Sequence, residues 1–256
     1  MTEIQENAPE VAVHSDEDIL NNILGNLPAE VAVDVDIPSL GVVYGNSRDT
    51  KKVSVTPMTF DDEKAILSSQ KDPSIDPANL LLSRCVNGVK VDDLLIMDKL
   101  YLIMKIRELS FGNEYKSRAI CKKCKAENNL SIELDKLLCN FVDEHEFMDP
   151  TEVELPQIGK TAKVRVPRVC DEQYLMDPER TVNELWRFVD EIGGSQNKKI
   201  IAKVIEKLPI IDVHKIINVL TMQEYGIQTE VKFVCSHCQS HETIILPISA
   251  NFFSTN

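Results

Sequence analysis

The sequence predicts an α+β fold made by internal duplication, in which one strand–strand–helices–hairpin unit is used twice to give two pseudo-symmetric lobes. Three observations carry the prediction. The stretch from Leu94 to Leu134, LLIMDKLYLIMKIRELSFGNEYKSRAICKKCKAENNLSIEL, returns from Leu208 to Ile248 as LPIIDVHKIINVLTMQEYGIQTEVKFVCSHCQSHETIILPI. Each copy reads as a helix opened by an Asp (Asp98, Asp212), closed by an aromatic–Gly pair (Phe111-Gly112, Tyr225-Gly226) and followed by strand, Cys-x-x-Cys and strand. The spacing from Asp to Gly to first Cys is the same in both. Upstream, VDIPSLG (35–41) is answered by VELPQIG (153–159), and KVSV (52–55) by KVRV (163–166). The offsets are 118 residues at the first strand, 111 at the second and 114 at the Cys pairs, so loop lengths differ little.

The elements follow in order. Residues 1–30 form an acidic arm whose first fifteen residues are polar, charged and expected to be disordered. Ser15 can cap a short helix, DEDILNNILGNL, with Ile19, Leu20, Ile23, Leu24 and Leu27 on one face. That helix either packs on its own domain or docks into a partner's groove. The first repeat, 31–136, begins with alternating strand residues from Val31 to Ile37, a turn bracketed by Pro38 and Gly41, and a second strand over 51–57. Thr59 and Asp62 form a capping box for FDDEKAILSS, and Asp76-Pro77 opens ANLLLSRCV with Pro at the first helical position. Asn87-Gly88 is a turn before the long helix. The second repeat, 137–256, repeats this order, with helices expected around Val182–Ile192 and Lys199–Leu208 on either side of Gly193-Gly194.

A chain of 256 residues can build one large domain or two small ones, and 43% hydrophobic residues supply an ordinary core. No apolar run approaches the ~20 residues of a membrane helix, and MTEIQENAPE lacks the features of a secretory signal. A soluble intracellular protein is expected. The net charge of −13 is uneven: residues 1–36 hold nine acids and no Lys or Arg, which leaves −4 on the body. A chain-wide basic footprint for nucleic acid is therefore missing.

Four of the seven cysteines, Cys121, Cys124, Cys235 and Cys238, lie in the two C-x-x-C pairs, a pattern that favours metal over a disulfide framework in such a chain. A C-x-x-C at a tight turn between strands points both sulfurs one way, and two such knuckles complete a closed tetrahedral site. One structural Zn²⁺ per chain is expected there, with no position open to substrate. The long separation from Cys124 to Cys235 leaves three alternatives: half-sites completed by other ligands such as His237 or His241, knuckles pairing between chains, or one copy without metal. Lys122, Lys123 and Lys125 suit a site of net charge −2, and equally suit a solvated turn. A redox C-x-x-C belongs at a helix N-terminus, whereas both pairs here lie between strands. Cys85 reads as core, and Cys139 and Cys170 have no partner in the pattern. Paired acids at Asp61-Asp62-Glu63 and Asp92-Asp93 sit at helix starts, where they cap. Trp186 reads as core beside Leu185, Phe188 and Val189. No nucleotide-binding, metalloprotease or hydrolase signature occurs, so no catalytic or cofactor-binding residue is assigned and the chain is not expected to be an enzyme.

IPSLGVVYG, KVSVTPMTFDDEKAIL, SRCV, the helix ending in RELSFGNEY, and CKKC together resemble the baseplate hub and hub-assembly proteins of T-even-type contractile-tail bacteriophages. The resemblance runs from about residue 30 onward and is firmest over 35–135. It implies a non-enzymatic assembly factor or minor hub component in the infected host's cytoplasm, with other hub proteins as partners and the virion baseplate as a second location. The competing reading is a zinc-ribbon nucleic-acid or transcription module, which needs a Lys/Arg stripe with exposed aromatics. CSHCQSHE offers no such stripe.

Overall fold

A computed structural model describes residues 15–25, 32–44, 52–72, 74–221, 224–248 and 250–253. The expected disorder over 1–14 and the apolar position Leu27 lie outside the described residues. The chain separates into two units, Met1–Val31 and Ala32–Asn256. In the first, helix α1 (Asp16–Gly25) starts where predicted, with Ser15 Oγ accepting the Asp18 N–H at 3.1 Å. Its Ile19, Leu20 and Ile23 are exposed.

The second unit is mixed α+β with small antiparallel sheets. Strands β1 (Val33–Asp36), β2 (Lys52–Val55) and, after the helices, β3 (Val86–Asn87) form one three-stranded sheet in that order. Helix α2 (Phe60–Ser69) carries the predicted Thr59–Asp62 capping box, and α3 (Pro77–Cys85) is capped by Asp76 with Pro77 at its start. Asp62 is tied further to Arg84 of α3. Cys85 is core, as read.

Helix α4 (Ile96–Phe111) ends at Gly112, whose φ of 84° suits a residue without Cβ. It buries Leu102, Ile103, Met104 and Ile106, each worth about 1.5–3 kcal/mol relative to exposure. The hairpin β4 (Glu114–Ile120) and β5 (Glu127–Glu133) follows, then the short β6 (Cys139–Asn140).

Strands β7 (Thr151–Leu155) and β8 (Lys160–Val164) begin the second half. The predicted KVRV strand ends two residues early. Arg165 donates its N–H to Phe188 O, its guanidinium grips Asp171 at 2.6 and 2.8 Å, and Val166 turns into a separate apolar cluster. Short helices α5 (Glu172–Leu175) and α6 (Pro178–Asn183) come next. The helix expected over Val182–Ile192 is a correction: Leu185–Phe188 is a 3-10 turn and Val189–Ile192 is strand β9, paired with β8. A short apolar run at helical spacing fits both states, and burial of Phe188, Val189 and Ile192 on the sheet decides it. Trp186 is half-buried and packs against the second apolar cluster, with the Arg187 guanidinium 4.6 Å from its ring.

Helices α7 (Lys198–Ile205) and α8 (Ile210–Thr221) follow. The described part of α8 stops before Tyr225-Gly226, which leads instead into β10 (Gly226–Ile227), paired with β6. The second hairpin is β11 (Glu230–Val234) and β12 (His241–Ile245).

The main core joins the first sheet, α2–α4 and the first hairpin, and takes Leu246, Phe252 and Phe253 from the far end of the chain. A second core gathers β7–β9, α7 and α8. Residues 137–256 thus contribute to both cores. A smaller cluster joins Leu95, Val166 and Tyr225. Among the described residues, no helix is long and apolar enough to cross a membrane.

The Asp in the first turn of each long helix bonds a turn distant in sequence rather than its own helix. Asp98 is fully buried and accepts from Ser39 N at 2.9 Å, Ser39 Oγ at 2.5 Å and Tyr44 Oη at 2.6 Å, so it latches the Pro38–Gly41 turn. Asp212, equally buried, accepts from Gln157 N at 3.2 Å and so latches the Pro156–Gly159 turn.

Candidate metal centre

Both hairpins build the same turn. In the first, Cys121 N donates to Ala126 O, Lys125 N donates to Cys121 O, and Lys125 takes a φ of 63°. In the second, Cys235 N donates to Ser240 O, Gln239 N donates to Cys235 O, and Gln239 takes a φ of 58°. The closing strand pairs, Ile120 with Glu127 and Val234 with His241, have the same register relative to their cysteines. Such a turn leaves both sulfurs of a C-x-x-C on one side.

The fold brings the two turns together. Cys121 Sγ lies 3.7 Å from Cys238 Sγ and Cys124 Sγ lies 3.6 Å from Cys235 Sγ, and all four sulfurs fall within 4.8 Å of one another. These are non-bonded distances rather than disulfides. Zn–S bonds of about 2.3 Å in a tetrahedron place sulfurs about 3.8 Å apart, so the four thiols fit a zinc-sized cation. Cys121 and Cys235 are buried, whereas Cys124 is exposed.

The thiols are held unequally. The Cys238 backbone N–H, helped by that of His237 and by the Asn128 amide, draws Cys235 down to about 6 against the cost of burial. Ser240 lowers Cys238 through its hydroxyl and backbone N–H. Cys124 gains from the Ala126 N–H, yet desolvation and the three other sulfurs push it up to about 12. A cluster that resists carrying four negative charges by itself, while already favouring the thiolate at Cys235, has the chemistry of a cation site.

His237 and His241 are exposed, and the clustered group among the described residues is the four cysteines alone. Lys122, Lys123 and Lys125 are exposed on the first turn. Cys139 and Cys170 lie elsewhere, and burial raises both thiols, Cys139 to about 11.

Sequence reasoning missed three residues beside the sulfurs. Asn128 is buried and reaches Ser236 and Cys235. Ser240 Oγ lies 3.2 Å from both Cys121 Sγ and Cys238 Sγ. Glu242 Oε1 accepts from Cys121 Sγ at 3.3 Å. The signal available for Asn128 and Glu242 was their shared spacing, since each lies seven residues after the first Cys of its pair.

A family model described as T4 bacteriophage base plate protein matches residues 42–254. No curated protein and no solved structure matches the chain. The family match covers most of the sequence, including both latch aspartates and all four clustered cysteines, and the chain belongs to the T4 bacteriophage base plate protein family.

Proposed function

We propose that this protein serves in building the baseplate hub, as a non-enzymatic assembly factor or a minor hub component, with other hub proteins as its partners. The observation that carries the reading is the family match over residues 42–254. The acidic arm over 1–30 and the exposed apolar face of α1 favour an assembly role, since they offer a basic partner both charge and an apolar anchor. Its place of action is the infected host's cytoplasm and, if it is retained, the baseplate of the particle. Co-purification of tagged protein from infected cells tests this. Hub proteins should be recovered, and recovery of baseplate proteins from outside the hub, with no hub protein among them, would overturn it.

We read residues 31–136 and 137–256 as two copies of one unit. Three-stranded sheets in the same order, latch aspartates bonded to equivalent turns, and hairpins of equal register support that reading. Cys121, Cys124, Cys235 and Cys238 would then hold one structural Zn²⁺ between the copies. When bound, the ion supplies a cross-link and no reactive position. Closing a loop of the length from Cys124 to Cys235 is worth on the order of 4–5 kcal/mol by analogy with a disulfide.

A nucleic-acid module is the second reading, favoured by Lys116 and Arg118 on the exposed face of β4 above the turn lysines. Arg118 is paired with Glu127 at 3.3 Å, and the second hairpin carries no matching basic cluster, so the stripe is interrupted. Salt-sensitive retention on single- or double-stranded DNA or on RNA would favour it over the hub reading.

A further inference from the structure

The two knuckles are joined by more than sulfur. Asn128 on β5 and Glu242 on β12 each lie seven residues after the first cysteine of their own pair, and each side chain reaches the other knuckle. Asn128 is 5% exposed. Its Oδ1 accepts from Ser236 N at 2.9 Å and from Ser236 Oγ at 3.0 Å, while Nδ2 donates to Ala126 O at 3.1 Å and toward Cys235 Sγ at 3.6 Å. Glu242 Oε1 meets Cys121 Sγ at 3.3 Å and Ser240 Oγ at 3.1 Å. Each hairpin thus reaches the other's first cysteine, and Asn128 also holds the backbone just after Cys235.

The geometry is reciprocal, but the chemistry is not. We propose that Asn128 and Glu242 are paired positioning residues of the four-cysteine centre, and that they act on it in opposite directions. The inference rests on the reading of that centre as one shared metal site. Four thiolates around a divalent ion carry a net charge of −2. An amide N–H directed at sulfur disperses that charge, as supporting groups around metal ligands commonly do. A carboxylate at van der Waals distance from sulfur adds to it. Ser240 Oγ, 3.1 Å from Glu242 Oε1 and 3.2 Å from Cys121 Sγ, offers one hydroxyl proton for these neighbours to share. Cys121 is therefore the weaker corner of the site and Cys235 the stronger one. The carboxylate lowers the affinity of the shared site where a second amide would raise it.

The test is Co²⁺ and Zn²⁺ titration of the reduced full-length protein, with affinities from competition against a chromogenic chelator. Wild-type protein should bind one Co²⁺ with the absorption of four-thiolate coordination. Asn128→Asp keeps the acceptor for Ser236 but replaces the donor with charge, and should weaken binding about tenfold or more. Glu242→Gln should tighten binding by about tenfold. A purely structural role would make both variants bind more weakly or leave both unchanged. Should Asn128→Asp fail to fold, the Glu242→Gln arm decides, because a gain in affinity requires a folded site. Wild-type protein without a four-thiolate spectrum overturns the shared site and this inference together. A four-thiolate wild type with Glu242→Gln unchanged or weakened overturns the inference alone.

Discussion

The latch under the first sheet and the latch under the second share a position and differ in completeness. Asp98 receives three donors, Ser39 N, Ser39 Oγ and Tyr44 Oη, and Tyr44 Oη itself accepts the Leu95 N–H at 2.7 Å. Asp212 receives Gln157 N, and its Oδ2 has no hydrogen-bond partner among the described residues. The cause is visible in the turns. After Pro38–Gly41 the chain runs on to Tyr44, whereas after Pro156–Gly159 strand β8 begins at once and none of its side chains bonds Asp212. A buried acid is worth its desolvation only when its lone pairs are used, so the first half holds its turn more firmly than the second.

The sharpest way to break the comparison uses the glycine ahead of each hairpin. A Cβ at Gly226 would sit 2.9 Å from Met97 Cβ at a φ of 104°, so Gly226→Ala should cost about 3 kcal/mol or more. A Cβ at Gly112 meets nothing within 4 Å, and Gly112→Ala should cost about 1–3 kcal/mol from its φ of 84° alone. Urea unfolding of the two variants separates packing from strain, and equal losses would refute the assignment.

A smaller effect is expected at the latches. Asp98→Asn turns away the Ser39 and Tyr44 hydroxyls and should cost about 2–3 kcal/mol, while Asp212→Asn keeps the Gln157 bond and should stay within about 1 kcal/mol. Proton linkage sharpens this. Burial raises the Asp98 carboxyl above its ordinary value despite the bonds from Ser39 and Tyr44. Its contribution is therefore full below the unfolded carboxylate range, about pH 4, and declines as pH rises through the folded value. Asp171 runs the other way: burial opposes its charge, but the Arg165 guanidinium and the Arg168 N–H outweigh it and lower the carboxyl. That contribution is present above about pH 4 and lost as pH falls through the folded value. The cost of Asp98→Asn should thus shrink from pH 4 upward, and that of Asp171→Asn should shrink on acidification. Stability curves across pH for both variants check the two signs.

Least costly to the fold is the arm. Deleting residues 2–28 should leave the unfolding midpoint of the body unchanged within error while reducing hub assembly in infected cells. Unchanged assembly would make the arm a solubilising tail.

Much of this was legible in the sequence, for physical reasons that differ by element. The hairpins were readable because a knuckle turn fixes the spacing of Cys, left-handed residue and closing strand, and the chain uses that spacing twice. The caps of α2 and α3 were readable because capping is local. Val189–Ile192 was not, because an apolar run next to a tight turn suits helix and strand alike until its partner strand is known. Tyr44, Asn128 and Glu242 were not, because each acts on a residue more than fifty positions away. Asn128 stands at an inward position of β5, and a polar residue there is a cue that only the second hairpin explains.

The central claim, that the two halves share one metal site, is tested most directly by zinc content per chain in the purified protein and its cysteine variants. One zinc per wild-type chain is expected. Cys121→Ser and Cys235→Ser should each lose the metal and loosen both halves, because either change opens the same ring of four sulfurs. A content near two per chain, or a Cys235→Ser variant that keeps its full metal, would contradict a shared site.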